Sequence, residues 1–297
     1  MCDFLVTDID GIYIDGTLGG GGHSEEILRR LSNKGKLFSF DKDSEAISYC
    51  QKKFENELSL GDESRLKLVN DCFSKACSIK EIQGRVQGLL LDLGLSSRQL
   101  DNESRGFSYR TNSKLDMKFG SFGLSAEDLL NASKEEELAR ILRVYGEEPN
   151  ALTIARRIVQ RRRASPLLYT FDLRSVIEES VPPSHLIKTL SRVFQAIRIA
   201  VNNELETLFA TLSNCMPIYK NSARIVIISY HSLEDRIVKI FFKDNSQALK
   251  DKNKINNYDQ TLNILTKKPI LPSEDEINRN FRARSAKLRV AEVVKLD

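Results

Sequence analysis

The chain has 297 residues, enough for one large domain or two modest ones, and a hydrophobic fraction of 41% supports a substantial core. A charged fraction of 29%, no apolar run of bilayer length and no charged-then-apolar leader argue against a membrane protein and against a secretory signal. Net charge is only +4, so the clustering of basic residues matters more than their total. Five cysteines (Cys2, Cys50, Cys72, Cys77 and Cys215) show no C-x-x-C spacing and histidines number three. These counts argue against a zinc site and for free thiols in a reducing cytoplasm.

Residues 1–11 are too short for a domain. The stretch from Ile12 to Asp43 organises the rest of the chain. Ile12, Tyr13 and Ile14 form a short β-prone run, and Gly16 and then Gly19 to Gly22 follow at once. Ser24 is expected to N-cap an amphipathic helix over residues 25–31. Gly35 stops that helix, and Lys36–Phe40 resumes as a strand ending on Asp41. Strand, glycine turn, helix, strand and acid make a βαβ nucleotide-binding unit. No set of these glycines satisfies G-x-G-x-x-G, so a pyrophosphate cradle is not supported. Asp15 closes the first strand instead. An acid there suits an ammonium or sulfonium and repels phosphate. The order Asp-Gly-Thr-Leu-Gly-Gly-Gly-Gly-His resembles the first motif of the S-adenosylmethionine (SAM) methyltransferases.

A helix is expected from Ser44, then a short strand over Leu66–Val69 leading into Asn70, Asp71, Cys72 and Phe73. Val86–Asp92, VQGLLLD, is a buried strand closed by an acid. The pattern predicts an α/β doubly wound sheet, whose ligands bind beyond the carboxyl ends of the strands. Asp15, Asp41, Phe73 and Asp92 each sit at or just after such an end.

The alternation then stops. Ser133 to Glu136 read as a capping box, followed by Leu138, Ile141, Leu142 and Tyr145 at helical spacing. Ala151, Ile154, Ala155 and Ile158 mark a second helix, and Thr170 opens a third that Pro182 and Pro183 end. Residues 105–192 are therefore expected as an inserted all-helical subdomain for substrate recognition, flanked by a methyltransferase domain over 1–104 and 193–297. One long helix carrying Phe194, Ile197, Val201, Leu205, Leu208 and Leu212 leads back to the sheet. Residues 223–229 are the next strand and a helix starts at His231. Residues 250–260 are polar and expected as a mobile loop. Residues 265–270 and 287–294 are expected as the last two strands, antiparallel to one another.

Eight strings occur in order: DGTLGGGGHS, DLGLSSRQLD, RGFSYR, LDM, YGEE, FQAIRIAVNNEL, SYHSLEDRIVK and NFRARSAKLRVAE. Together they closely resemble the MraW/RsmH family, SAM-dependent N4-cytosine methyltransferases of small-subunit ribosomal RNA. The resemblance runs from about Ile12 to Val293. It implies a class I SAM methyltransferase fold: a Rossmann-like doubly wound sheet with an antiparallel last strand and a helical insert. It implies a cytidine target in the decoding region of 16S rRNA, in the small ribosomal subunit or its late precursor, and hence a cytoplasmic enzyme. It puts Gly21, Gly22 and His23 on the cofactor, Asp41 on its ribose, Phe73 beside its adenine, Asp92, the acid after the fourth strand, on the cofactor with a share in the substrate side, and Gln99 at a further cofactor contact. Two departures stand out. The family's longer leader with a His-x-Pro-Val string is absent from residues 1–11, and the acid that follows LDM is missing after Asp116.

The cytosine N4 lone pair is delocalised, so transfer to it needs acceptors for the N4 hydrogens and in-line placement of the nitrogen. Asp92, Asp116 and His231 are the candidates, with Asp116 and His231 expected as catalytic. His231 is read in two ways, as the group taking the released proton or as the cap of its helix. Two basic clusters could hold RNA: Arg156, Arg157, Arg161, Arg162 and Arg163, with no acid in the same helix, and Arg279, Arg282, Arg284, Lys287 and Arg289. The rival readings are a nonenzymatic ribosome-assembly factor on the same fold and an NAD-dependent oxidoreductase, which the glycine pattern disfavours.

Overall fold

The computed structural model describes residues 1–246 and 260–295. The chain folds into two compact units, Met1–Gly94 with Leu205–Asp297, and Leu95–Glu204. The limits expected from the sequence are 104/105 and 192/193.

The first unit begins with a short helix, α1 (Cys2–Leu5), whose Cys2 and Leu5 are buried. Strand β1 (Ile12–Asp15), helix α2 (Gly22–Arg30), strand β2 (Lys36–Phe40), helices α3 (Ser44–Lys53) and α4 (Glu55–Leu58), and strands β3 (Leu66–Val69) and β4 (Val86–Asp92) follow. The apolar run of β4 is buried throughout, as a strand covered on both faces must be. Successive side chains of a strand point to opposite faces, and the core follows that alternation. Ile14, Phe38, Phe40, Leu89 and Leu91 enter one cluster; Tyr13, Leu37 and Leu90 enter the other.

Helix α2 starts at Gly22, ahead of the expected start, and its N-cap is Gly21 in the left-handed region rather than Ser24. A glycine there turns the chain without a Cβ clash, so no side-chain cap is required. The Ser24 hydroxyl is fully buried and donates to Asp15 instead, at 2.7 Å.

The second unit holds α5 (Ser97–Asp101), α6 (Ala126–Ala132), α7 (Glu135–Gly146), α8 (Ala151–Ala164), α9 (Thr170–Glu178) and α10 (Pro183–Asn202). Among its described residues the only β pairing is a single bridge, Lys114 to Tyr169. The expected capping box at Ser133 does not form. Lys134 is the N-cap of α7 without a side-chain bond, because Ser133 closes α6 by donating its N–H to Leu129 O. Boxes form instead at Ser96 with Gln99 on α5 and at Ser125 with Asp128 on α6.

The long helix expected from Phe194 to Leu212 is two helices. Asn203, at φ 51°, ends α10, and α11 (Glu204–Asn214) begins at the next residue. Asparagine tolerates this left-handed conformation better than most residues, which makes it a natural helix terminator. The break falls at the boundary between the units.

Back in the first unit come β5 (Tyr219–Ser229), α12 (Ser232–Asn245), β6 (Gln260–Ile264), α13 (Glu274–Arg279) and β7 (Lys287–Lys295). The loop expected over 250–260 lies outside the described residues except for Gln260, which opens β6. That strand precedes the expected 265–270, where only Ile270 bridges to Leu288. The seven strands run β3-β2-β1-β4-β5-β7-β6. The first five are parallel, and β7 is antiparallel to β5 and to β6. Chain order reverses between β1 and β4, where doubly wound sheets open their ligand crevice.

Not all five thiols are free. Cys77 and Cys215 form a disulfide with Cα atoms 4.9 Å apart, while Cys2, Cys50 and Cys72 are in no disulfide. The partners are 138 residues apart in sequence, so no local spacing pattern could announce the pair.

Candidate active site

The carboxyl ends of β1, β2, β4 and β5 carry a connected set of polar side chains. Asp15, at the end of β1, is fully buried. Its carboxyl accepts from Ser24 Oγ at 2.7 Å and from Thr17 N at 3.1 Å, and Ser24 Oγ also contacts Ser39 Oγ at 2.8 Å. Burial pushes the Asp15 carboxyl above its ordinary range. Its bonds are spent on anchoring the glycine turn from below, not on presenting an acid to a ligand.

The turn is held from the next strand as well. Asp41 Oδ2 accepts from Gly19 N at 2.8 Å and Oδ1 from Asp43 N at 2.9 Å. Burial raises the Asp41 carboxyl to about 6, against the lowering effect of these two donors. Lys53 on α3 donates to Gly20 O at 3.3 Å and lies 2.8 Å from Glu25 on α2. A Cβ placed on Gly16 would meet Leu91 Cδ2 at 2.4 Å and Phe73 Cβ at 2.9 Å, so Phe73 packs directly over that glycine. A Cβ on Gly20 or Gly22 would meet nothing within 4 Å. The backbone is therefore unobstructed on that side.

Asp92, at the end of β4, is gripped from three directions. Its N–H donates to Thr17 Oγ1 at 2.7 Å. Its Oδ2 lies 3.1 Å from His23 Nε2, and its Oδ1 accepts from Tyr230 Oη at 3.0 Å. Burial alone would lower the His23 pKa, but the hydrogen bond and charge of Asp92 outweigh it and leave it raised. Neither Thr17 nor Tyr230 carries a local sequence signal for this role. Tyr230 stands inside the SYHSLEDRIVK string, yet nothing local distinguishes it from a core aromatic.

A family model described as the MraW methylase family matches residues 1–294. The chain belongs to the MraW methylase family. A protein of Caldicellulosiruptor saccharolyticus named Ribosomal RNA small subunit methyltransferase H is 45% identical over 299 residues, covering 98% of this chain and 95% of that protein. Proteins of the same name from Fusobacterium nucleatum subsp. nucleatum and Oenococcus oeni are 44% and 41% identical, covering 98% and 97% of this chain and 93% and 94% of their own lengths. This MraW methylase family member is thus a methyltransferase with the class I SAM-dependent fold, built on its seven-stranded sheet. Among the described residues no helix is long and apolar enough to cross a membrane.

The remaining candidates of this MraW methylase are engaged locally. His231 is the N-cap of α12: its Nδ1 accepts from Glu234 N at 3.4 Å, and Glu234 Oε2 accepts from Tyr230 N and His231 N at 2.9 and 3.3 Å. Its Nε2 is buried 3.2 Å from Glu234 Oε1. Of the two readings of His231, the cap is the one with a geometry behind it. In the helical unit, Gln99 is buried and its Oε1 accepts from Ser96 N at 3.0 Å as half of a capping box. Asp116 Oδ1 lies 3.3 Å from Lys118 Nζ, so a cation stands near the place where the family pattern has a second acid.

The basic cluster of α8 is less free than its sequence suggests. Arg162 donates to Leu130 O of α6 at 2.6 Å, and Arg156 and Arg157 lie 3.6 Å from Glu135 and Glu179. The compensating acids come from neighbouring helices rather than from α8. Arg161 and Arg163 are exposed. In the second cluster, Arg289 is buried and makes two bonds to Asp235, at 2.7 and 3.2 Å.

Proposed function

We propose that this chain transfers a methyl group from SAM to N4 of a cytidine in the decoding region of small-subunit (16S) ribosomal RNA, acting in the cytoplasm on the small subunit or its late precursor. The names of its relatives support the substrate. The observation that carries the chemistry is Asp92, held rigidly at the end of β4 where chain order reverses. The open backbone at Gly20 and Gly22 and the acid at Asp41 fit a nucleoside cofactor.

In this reading Gly21, Gly22 and His23 border the cofactor, Asp41 accepts from its ribose hydroxyls and Phe73 offers an apolar face to its adenine. Bound SAM supplies an electrophilic methyl group on a sulfonium. Asp92 accepts a hydrogen bond from the N4 amino group, which raises electron density on nitrogen and offsets the positive charge that develops there. Its orientation is set before the substrate arrives, so little reorganisation is needed at the moment of transfer. Asp116, with Lys118 beside it, is assigned to the substrate side. His231 contributes by shaping the turn that presents Tyr230. Exposed arginines of α8 bind RNA phosphates. A cytidine in structured RNA must be unstacked to reach such a site.

The test is incubation of the protein with labelled SAM and small subunits lacking the modification, followed by nucleoside mass spectrometry. N4-methylcytidine is the expected product. Label on another nucleoside, or none, overturns the reading.

A further inference from the structure

Asp92 has more donors around it than a cofactor contact requires. Its two carboxylate oxygens are engaged separately, Oδ2 with His23 and Oδ1 with Tyr230 Oη, and these partners come from different elements. His23 rides on the first turn of α2, next to the glycine turn. Tyr230 follows the last residue of β5 and is itself fixed, because its N–H donates to Glu234 Oε2 at 2.9 Å inside the α12 capping box. Its ring passes over Gly94, where a Cβ would come within 3.7 Å of Cδ2. The phenol is therefore anchored at both ends, by its backbone to α12 and by its hydroxyl to Asp92.

We propose that Tyr230 is the positioning residue of the transfer step: its hydroxyl locks the plane of the Asp92 carboxylate so that an oxygen lone pair stays aimed at the incoming amino group. A carboxylate tied by one donor can rotate about its Cβ–Cγ bond. A carboxylate tied through both oxygens to two separate elements cannot rotate without breaking a hydrogen bond. Tyr230 suits this task better than a serine or lysine would. Its rigid ring spans the gap from the end of β5 to the end of β4 with few rotamers to lose. Burial, reinforced by the neighbouring Asp92 charge, raises the phenol pKa further above its ordinary alkaline value, so the hydroxyl remains a donor throughout the working pH range. It neither takes nor gives up the N4 proton.

This inference rests on the reading of Asp92 as the acceptor at the transfer step. It is tested with Tyr230→Phe, which keeps the ring and removes only the donor. With small subunits as substrate, kcat is expected to fall about ten- to a hundredfold, the loss expected when a reacting group is misaligned without being removed. KM for subunits and the calorimetric SAM affinity should stay within about twofold, because placement in the transition state is what suffers. Asp92→Asn and the double variant complete a cycle. If Tyr230 acts through Asp92, adding Tyr230→Phe to Asp92→Asn costs nothing further. Unchanged kcat in Tyr230→Phe overturns the proposal, as do fully additive losses in the double variant or a loss confined to SAM affinity. A wild-type protein inactive on subunits would instead overturn the proposed function, and this inference with it.

Discussion

Gly21 and Gly22 are adjacent but constrained differently. Gly21 has φ 72°, and a Cβ there would lie 2.8 Å from Phe54 Cε2 and 3.0 Å from Cys50 Sγ. Valine at Gly21 is expected to lower stability itself, through backbone strain and overpacking. Gly22 has an ordinary helical φ and open space in front of it, so valine there should cost the fold less than about 1 kcal/mol. Gly22→Val is expected to abolish SAM binding with the melting temperature nearly unchanged; calorimetry with normal affinity would move the cofactor away from this turn. Asp41 makes a separate prediction from its raised pKa of about 6. An ionised carboxylate is needed to accept from ribose, so SAM affinity should be flat above about pH 7 and fall below about pH 6, by up to about tenfold per unit. Asp41→Ala should weaken SAM by about 1.5–3 kcal/mol, the value of a hydrogen bond to a charged group, and remove that pH dependence. For stability the sign is opposite. A folded pKa above the usual 3.8 means that the ionised form is disfavoured in the fold, so this group makes the protein more stable as pH falls from about 6 toward 4. Calorimetric titrations and melting curves across that range check both halves.

Helix α8 separates what a charge pattern implies from what it does. Five arginines along one helix read as an RNA-binding face, but Arg162 satisfies the C-terminal carbonyl of α6 and two others sit near acids of neighbouring helices. Replacing Arg161 and Arg163 with Gln is expected to weaken binding to small subunits and flatten its salt dependence, leaving SAM affinity untouched. Arg162→Gln is expected to act mainly on stability, by about 1–3 kcal/mol for a carbonyl that loses its donor. An unchanged salt slope in the Arg161 and Arg163 variant would mean that those side chains are solvated and idle. Other elements show the limits of local reading in the same way. The stripe from Phe194 to Leu212 is continuous in sequence, yet Asn203 splits it. A hydrophobic stripe records which side is buried, and it is silent on whether one core or two do the burying.

Across the molecule, the disposition of the cysteines bears on which atom is methylated. Methylation at C5 of a cytosine requires a nucleophile to add to the ring, usually a thiolate, whereas N4 is itself the nucleophile. Cys77 and Cys215 are joined to each other, Cys2 is buried with its pKa raised by burial, and Cys50 is buried beneath the glycine turn with its Sγ 3.5 Å from Gly19 O. Cys72, beside Phe73, is free and partly exposed. Cys72→Ser is expected to keep most activity, and RNA carrying 5-fluorocytidine at the target should be methylated without trapping the protein. A denaturation-resistant adduct on gel electrophoresis, or a C5-methylated product, would reverse that assignment. Much of the first unit was legible in the sequence. Strands β1 to β4, the glycine turn and the acids at the strand ends are written in runs of a few residues, because period-two burial and tight turns are local requirements. The sequence by itself therefore determined the parallel part of the sheet, the family and the strand ends that carry the candidate site. Tertiary structure alone decided what each polar side chain is for. Asp15 holds the glycine turn, His231 caps α12, Arg162 donates to the last turn of α6, and Tyr230 comes to Asp92 across 138 residues. A hydrogen bond depends on where two atoms stand in space, and only the packed sheet brings the ends of β4 and β5 together.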